Sequence, residues 1–129
     1  MNESPGQLKT DNILRLLATI ETVEITTIGR LSGEPRRIEI WMYEIDGRHI
    51  ITGTPGIRDW YANLLANPNM TLHLTDTINL AVVTTVVDDP VFRRSVFTSD
   101  KTSWYRSQTD VEDLVANSPM VEMQVASLG

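Results

Sequence analysis

The sequence predicts a small α+β domain, mainly β, built on a six-stranded antiparallel barrel. Three observations carry that expectation. Six stretches alternate apolar and polar residues with a period of two, the mark of a half-buried strand. The connections are short and turn-like, above all Asp46-Gly47, where both residues tolerate positive φ, so neighbouring strands should pair as hairpins. Helical stretches are few, and the last strand comes late enough to close the sheet on itself. At 129 residues and 41% hydrophobic content the chain can form one domain with a real core, and no repeat, linker or low-complexity run divides residues 1–129.

Taken in order, residues 1–9 read as a frayed start. Asp11 can cap a first helix with Ile13, Leu16, Leu17 and Ile20 at helical spacing. The first strand covers 22–28, with Val23, Ile25 and Thr27 on one face and Glu24 and Thr26 on the other. A Gly-bounded loop leads into strand two, 36–45. There Ile38, Ile40 and Met42 oppose Arg37, Glu39, Trp41, Tyr43 and Ile45, so both faces carry bulk. One face is core; the other is a pocket wall or a subunit interface. After Asp46-Gly47 a third strand runs over 48–54 into a second loop, Gly53-Thr54-Pro55-Gly56.

A helix over 57–66 carries Ile57, Trp60, Tyr61, Leu64 and Leu65 on one stripe, and Asn67-Pro68 ends it. Strand four alternates Met70, Leu72 and Leu74 against Thr71, His73 and Thr75. Strand five, 78–87, is rich in β-branched residues. Asp88-Asp89-Pro90 opens a helix with Phe92 and Val96 inward. Residues 98–108 read as irregular and polar around Trp104 and Tyr105. A short helix over 110–116 follows, and Val121, Met123 and Val125 make the last strand.

Charge and composition exclude several functions. The 11 Lys and Arg against 17 Asp and Glu give a net charge of −6, which argues against general nucleic-acid binding. No apolar run is long enough to span a membrane and no signal-peptide pattern opens the chain. Cys is absent, so there is no disulfide framework and no thiol nucleophile, compatible with a cytoplasmic protein. No His, Cys or carboxylate cluster has metal-ligand spacing, and there is no P-loop or Gly-x-Ser-x-Gly elbow. His73 reads as a strand residue, and Asp88 and Asp89 as a helix start. With no evident hydrolytic machinery, catalysis would depend on a bound cofactor.

The basic residues are uneven. Arg30, Arg36, Arg37, Arg48 and Arg58 are five of the 11 and fall in less than a quarter of the chain. Three of them flank the loop Gly29-Arg30-Leu31-Ser32-Gly33, where glycine permits a tight turn, Ser32 adds a hydroxyl, and guanidinium forks suit phosphate or carboxylate. The same residues fit a plain hairpin turn with surface arginines equally well.

Taken together, Thr26-Thr27-Ile28-Gly29-Arg30-Leu31-Ser32-Gly33, Pro35-Arg36, Gly53-Thr54-Pro55-Gly56 and Trp60-Tyr61-Ala62-Asn63-Leu64-Leu65-Ala66-Asn67-Pro68 resemble the deazaflavin-dependent nitroreductase family. The resemblance implies the flavin-binding split-barrel fold and a reduced 8-hydroxy-5-deazaflavin coenzyme as hydride donor, with FMN as the alternative. It implies that the cofactor's phosphate and oligoglutamate tail lie at Arg30, Ser32, Gly33 and Arg36, with Arg37 adjacent. It further implies that Gly53, Thr54, Pro55, Gly56 and Trp60 embrace the cofactor and that Asn63 is structural. The acceptor would be a small nitro compound, quinone or enone. Tyr61 and Tyr105 are the candidates to hydrogen-bond or protonate it, packing being the bland reading of each. Leu31 departs from the family, standing where many relatives carry Lys, and the segment between Gly56 and Trp60 is short. A non-catalytic protein binding a flavin or another lipophilic ligand on the same barrel is the alternative function.

A homodimer completes the expectation. The apolar second face of strand two needs a cover, and split-barrel relatives imply a two-fold interface with the cofactor beside it, which brings Trp41 into the cofactor set. The competing cover is the first helix or the Trp104 region of the same chain.

Overall fold

The computed structural model describes residues 5–126, with side chains described from residue 10. Six antiparallel strands close a barrel in the order β1-β2-β3-β6-β5-β4. They are β1 Thr22–Ile28, β2 Pro35–Ile45, β3 Arg48–Thr52, β4 Asn69–His73, β5 Asn79–Val86 and β6 Met120–Val125. Helix α1, Pro5–Thr19, precedes the barrel, and α2, Asp59–Ala66, joins β3 to β4. Between β5 and β6 lie α3 Pro90–Phe97, a 3-10 turn Asp100–Thr102, α4 Ser103–Arg106 and α5 Val111–Asn117. The barrel class expected from the alternation stands.

Local chemistry explains the punctuation. Asp46 and Gly47 both have positive φ, 53° and 76°, as the two-residue hairpin requires. Asp89 caps α3 by accepting from the Val91 amide, with Pro90 in the first turn. Asp110 caps α5 in the same way through the Asp113 amide. Asp11 is no cap: α1 begins at Pro5 and Asp11 falls inside it. The frayed start expected over 1–9 falls partly on residues 1–4, which lie outside the described residues, and partly on the first turns of α1. The polar stretch 98–108 is more ordered than its composition implies. Ser99 caps the 3-10 turn, Thr102 is buried, and Tyr105 of α4 is buried.

Two cores result from the two faces of β2. Met42 points into the barrel with Val23, Ile25, Ile51, Leu72, Val82 and Val121, and α1 plugs one end through Ile13 and Leu17. Tyr43 and Ile45 point out and pack under Phe92, Val96, Phe97, Tyr105 and Leu114. The second face therefore has a cover within its own chain, from α3 to α5.

The inward row Ile38, Ile40, Met42 departs from expectation, because only Met42 is fully buried and Ile38 is 37% exposed. The cause is register. β1 pairs β2 over the whole of 35–41, whereas β3 pairs it only over Met42–Ile45. The first half of β2 thus runs past β3 and leaves an unpaired edge, and both candidate clefts open along it.

Candidate functional site

The first cleft, about 320 Å³, lies beside the loop between β1 and β2. Its floor is Thr27, Trp60 and Asn63, and its rim Arg30, Leu31, Ser32, Arg36 and Ile38. The loop is closed by Gly29 N donating to Glu34 O and Gly33 N donating to Gly29 O, both at 2.8 Å. Gly33 has φ 71°, which favours glycine, and a Cβ on Gly29 would stand 2.5 Å from Ser32 Oγ and 3.3 Å from Glu34 O, so a side chain there would displace the Ser32 hydroxyl.

Most of the loop's backbone amides are already engaged within the protein. Gly29 and Gly33 amides are used within the loop, Glu34 N donates to Ser32 Oγ, and Arg30 N donates to Asn63 Oδ1. Only the Leu31 and Ser32 amides remain, so the cationic side chains dominate the electrostatics.

Asn63 organises this end of the barrel. Its Oδ1 accepts from Arg30 N at 3.1 Å and Arg30 Nη1 at 3.0 Å, while its Nδ2 donates to Thr27 Oγ1 at 3.1 Å. One buried amide thus ties α2, β1 and the loop together and aims Arg30. Asp59 adds a looser 3.4 Å contact to Arg30. Among the described residues Arg36 has only a 3.5 Å contact with Ser32 Oγ and no carboxylate partner. Arg37 is not part of this cleft. One residue along the strand points it to the opposite face, where it pairs with Glu24 at 2.7 Å.

The second cleft, about 250 Å³, is lined by Trp41, Thr52, Gly53, Thr54, Arg58, Trp104 and Tyr105, with Glu39 and Ile40 at its edge. The two clefts share the exposed half of β2, and Arg58 in one adjoins Asp59 in the other. Trp41 meets Trp104 edge-on at 5.6 Å, and Tyr105 packs beneath both.

The two catalytic candidates separate. Tyr105 lines the second cleft with its ring, but its hydroxyl turns inward and accepts from the Tyr43 hydroxyl at 3.2 Å. Burial pushes the Tyr105 phenol up, against the pull of that hydrogen bond, and burial together with the Tyr105 contact raises Tyr43 as well. Both stay neutral and are weak acids. Tyr61 joins neither cleft. The helical step of α2 sends it away from Trp60 to a third cleft, beside Asp88, Arg93 and Ser118, where Gly56 also lies. Pro55 lines none of the three.

The sequence reading takes Asn63 as structural without its partners and gives Arg58 no role. The signal for Arg58 was present in the basic stretch that contains it; nothing local marks Asn63, whose partners lie 33 and 36 residues away. Among the described residues no group of three His, Asp or Glu could hold a metal, and no helix is long and apolar enough to cross a membrane.

Solved structures share this six-stranded closed-barrel fold. The chain is similar to a Clostridium acetobutylicum protein related to general stress protein 26 of Bacillus subtilis, of the pyridoxinephosphate oxidase family, with TM-score 0.68 and 14% identity over 95% of this chain and 86% of that one. It is similar to a NimC/NimA family protein of Clostridium acetobutylicum, with TM-score 0.67 and 12% identity over 89% and 81%. It is also similar to HutZ, the heme storage protein of Vibrio cholerae, with TM-score 0.62 and 11% identity over 91% and 89%. These identities show the fold alone. No curated protein matches the sequence significantly. The chain belongs to the F420H(2)-dependent quinone reductase family, whose pattern it matches over residues 7–124.

Proposed function

We propose that the protein transfers a hydride from a reduced deazaflavin coenzyme to a small organic acceptor, a quinone first among nitro compounds and enones. The observation that carries this reading is the Arg36 guanidinium, with no carboxylate partner among the described residues, beside an Asn63-aimed Arg30 at one cleft of a chain of this family. The residues fit the group: two guanidinium forks suit a phosphate, and the cleft floor offers Trp60 as an apolar wall. Arg30, Ser32 and Arg36 would hold the phosphate end, with Gly33, whose amide bonds Gly29 O, shaping the loop behind them and Arg37 on the opposite face. Trp60 would border the ring system from the first cleft, and Trp41, Gly53 and Thr54 would meet only its outer edge, where the acceptor approaches, Gly56 supporting the loop from behind.

When bound, the coenzyme supplies the hydride. The chain's part is to orient donor and acceptor and to exclude water. Neither Tyr61 nor Tyr105 presents a hydroxyl to either β2 cleft, so the acceptor's proton is assigned to solvent.

The reading includes a homodimer, supported by the unpaired edge of β2 and by Ile38, Trp41 and Trp104 exposed along it. Leu31, 92% exposed on the cleft rim, lowers the local positive charge and favours a less charged ligand, which keeps FMN as the competing cofactor. Titration of the purified protein with the deazaflavin and with FMN, followed by fluorescence, tests the choice. Tight deazaflavin binding and quinone consumption driven by the reduced deazaflavin are expected; binding of neither cofactor would exclude this reading.

A further inference from the structure

Arg58 breaks the local rules of its position. It is the N-cap of α2, where Ser, Thr, Asp or Asn normally caps the helix, and its side chain makes no capping bond. A cation there also meets the positive end of the helix dipole. Yet the second Gly-rich loop is shaped around it. A Cβ on Gly56, whose φ is 138°, would stand 2.9 Å from Arg58 Nη1, and one on Gly53 would stand 3.6 Å from Nε. The guanidinium folds back to donate to Ile57 O at 3.1 Å, Thr54 O at 3.1 Å and Thr54 Oγ1 at 2.8 Å. All three acceptors are neutral, so the charge is held in place but not neutralised.

The charge lies on a cleft with aromatic walls. Trp41 and Trp104 stay 43% and 49% exposed, and their edge-on contact leaves ring surface open to a planar guest. Glu39, at the edge, forms no ion pair among the described residues, so a guest with one negative charge suits the cleft better than a polyanion. We propose that the cleft between Trp41, Trp104 and Arg58 binds a planar aromatic monoanion, and that Arg58 is the residue that selects it. In naming the guest's role the proposal rests on the hydride-transfer reading. A quinone that takes up hydride from a reduced deazaflavin becomes a hydroquinone monoanion, the deazaflavin giving up two electrons and one proton as that hydride, and solvent then supplies the second proton. The monoanion is the species that Arg58 would stabilise, ahead of the neutral quinone.

The test is binding to the cofactor-free protein, which leaves the hydride-transfer reading out of its outcome. Isothermal titration calorimetry compares 2-naphthoate with 2-naphthamide, which share a shape and differ in charge. The native protein is expected to prefer the anion by about tenfold, as one charge-assisted contact allows. Arg58→Gln should abolish the preference and leave naphthamide affinity within about twofold, Arg58→Lys should restore part of it, and Trp104→Ala should weaken both ligands. Equal affinities in the native protein, or a preference that survives Arg58→Gln, would overturn the proposal. If Arg58→Gln fails to fold by circular dichroism, Thr54→Val decides. It removes only the 2.8 Å anchor of the guanidinium. A reduced preference supports the proposal, and an unchanged one overturns it.

Discussion

Arg93 and Arg36 put the same side chain to opposite uses. Arg93 is 8% exposed, and its three nitrogens donate to Val115 O at 2.7 Å, Val87 O at 2.8 Å and Ser118 O at 2.6 Å. Two of those carbonyls belong to the C-terminal end of α5, where partial negative charge gathers. The guanidinium thereby fastens α3, α5 and the end of β5 over the outer face of the barrel, although burial pulls its own affinity for the proton down. Arg36 stands at the overhanging end of β2 with one weak hydroxyl contact. A side chain whose donors are all placed on backbone carbonyls is architecture; one whose donors face a cleft is available for a ligand.

The largest effect expected from breaking this contrast is on Arg93. Arg93→Ala orphans three carbonyls and should destabilise the fold by on the order of 3 kcal/mol. Urea unfolding measures it, and a loss below about 1 kcal/mol would mean that water replaces the guanidinium at no great cost. The cofactor affinity of the fraction that remains folded should not change.

The next effect concerns the overhanging edge itself. Trp41→Glu would put an unpaired charge into the proposed two-fold interface and should weaken the dimer by about tenfold or more. Sedimentation equilibrium at micromolar concentration reads both steps. A native protein that sediments as a monomer removes the homodimer, and a Trp41→Glu dimer of native strength moves the interface elsewhere on the barrel. Because α3–α5 already cover Tyr43 and Ile45, the proposed interface would be confined to the part of β2 before Met42.

The sequence made the barrel legible and the site only partly so. Alternation in β1, β4, β5 and β6 and the Asp46-Gly47 turn report on neighbours one or two residues away, which is the range that pattern reading covers. The split of the barrel is a matter of register between β2 and β3, and nothing local encodes where β3 stops pairing. The same limit applies to side chains. Arg30 and Arg36 were legible because they flank a glycine turn. Asn63 was legible as a helix residue but not as the group that aims Arg30. Tyr61 looked equal to Trp60, yet one helical step separates a cleft floor from a different surface.

Arg36 supplies the functional half of the contrast. Arg36→Ala should weaken cofactor binding by about 1–3 kcal/mol, the range for one charge-assisted contact, with no change in thermal midpoint. Arg30→Ala should weaken binding to the same degree, but it also disturbs the Asn63 network and should lower the midpoint by a few degrees. A midpoint loss in Arg36→Ala with unchanged affinity would place Arg36 with Arg93 as architecture.

The smallest effect is the most selective. Leu31 is 92% exposed on the rim between Arg30 and Ser32, and it makes no contact that a longer polar side chain would disrupt. Leu31→Lys adds one solvated cation, worth no more than about 1 kcal/mol at a surface site. Coulomb attraction scales with the charge it meets, so the gain should be larger for a deazaflavin with an oligoglutamate tail than for FMN. It should also shrink as salt rises, since the added charge is fully screened by solvent ions. Fluorescence titration of both cofactors at low and moderate salt gives the four affinities needed. A larger gain for the deazaflavin that fades with salt places its tail beside the β1–β2 loop. Equal gains for both ligands, or none, would mean that the tail leaves the cleft on another side and that the Arg30–Arg36 pair meets the phosphate alone.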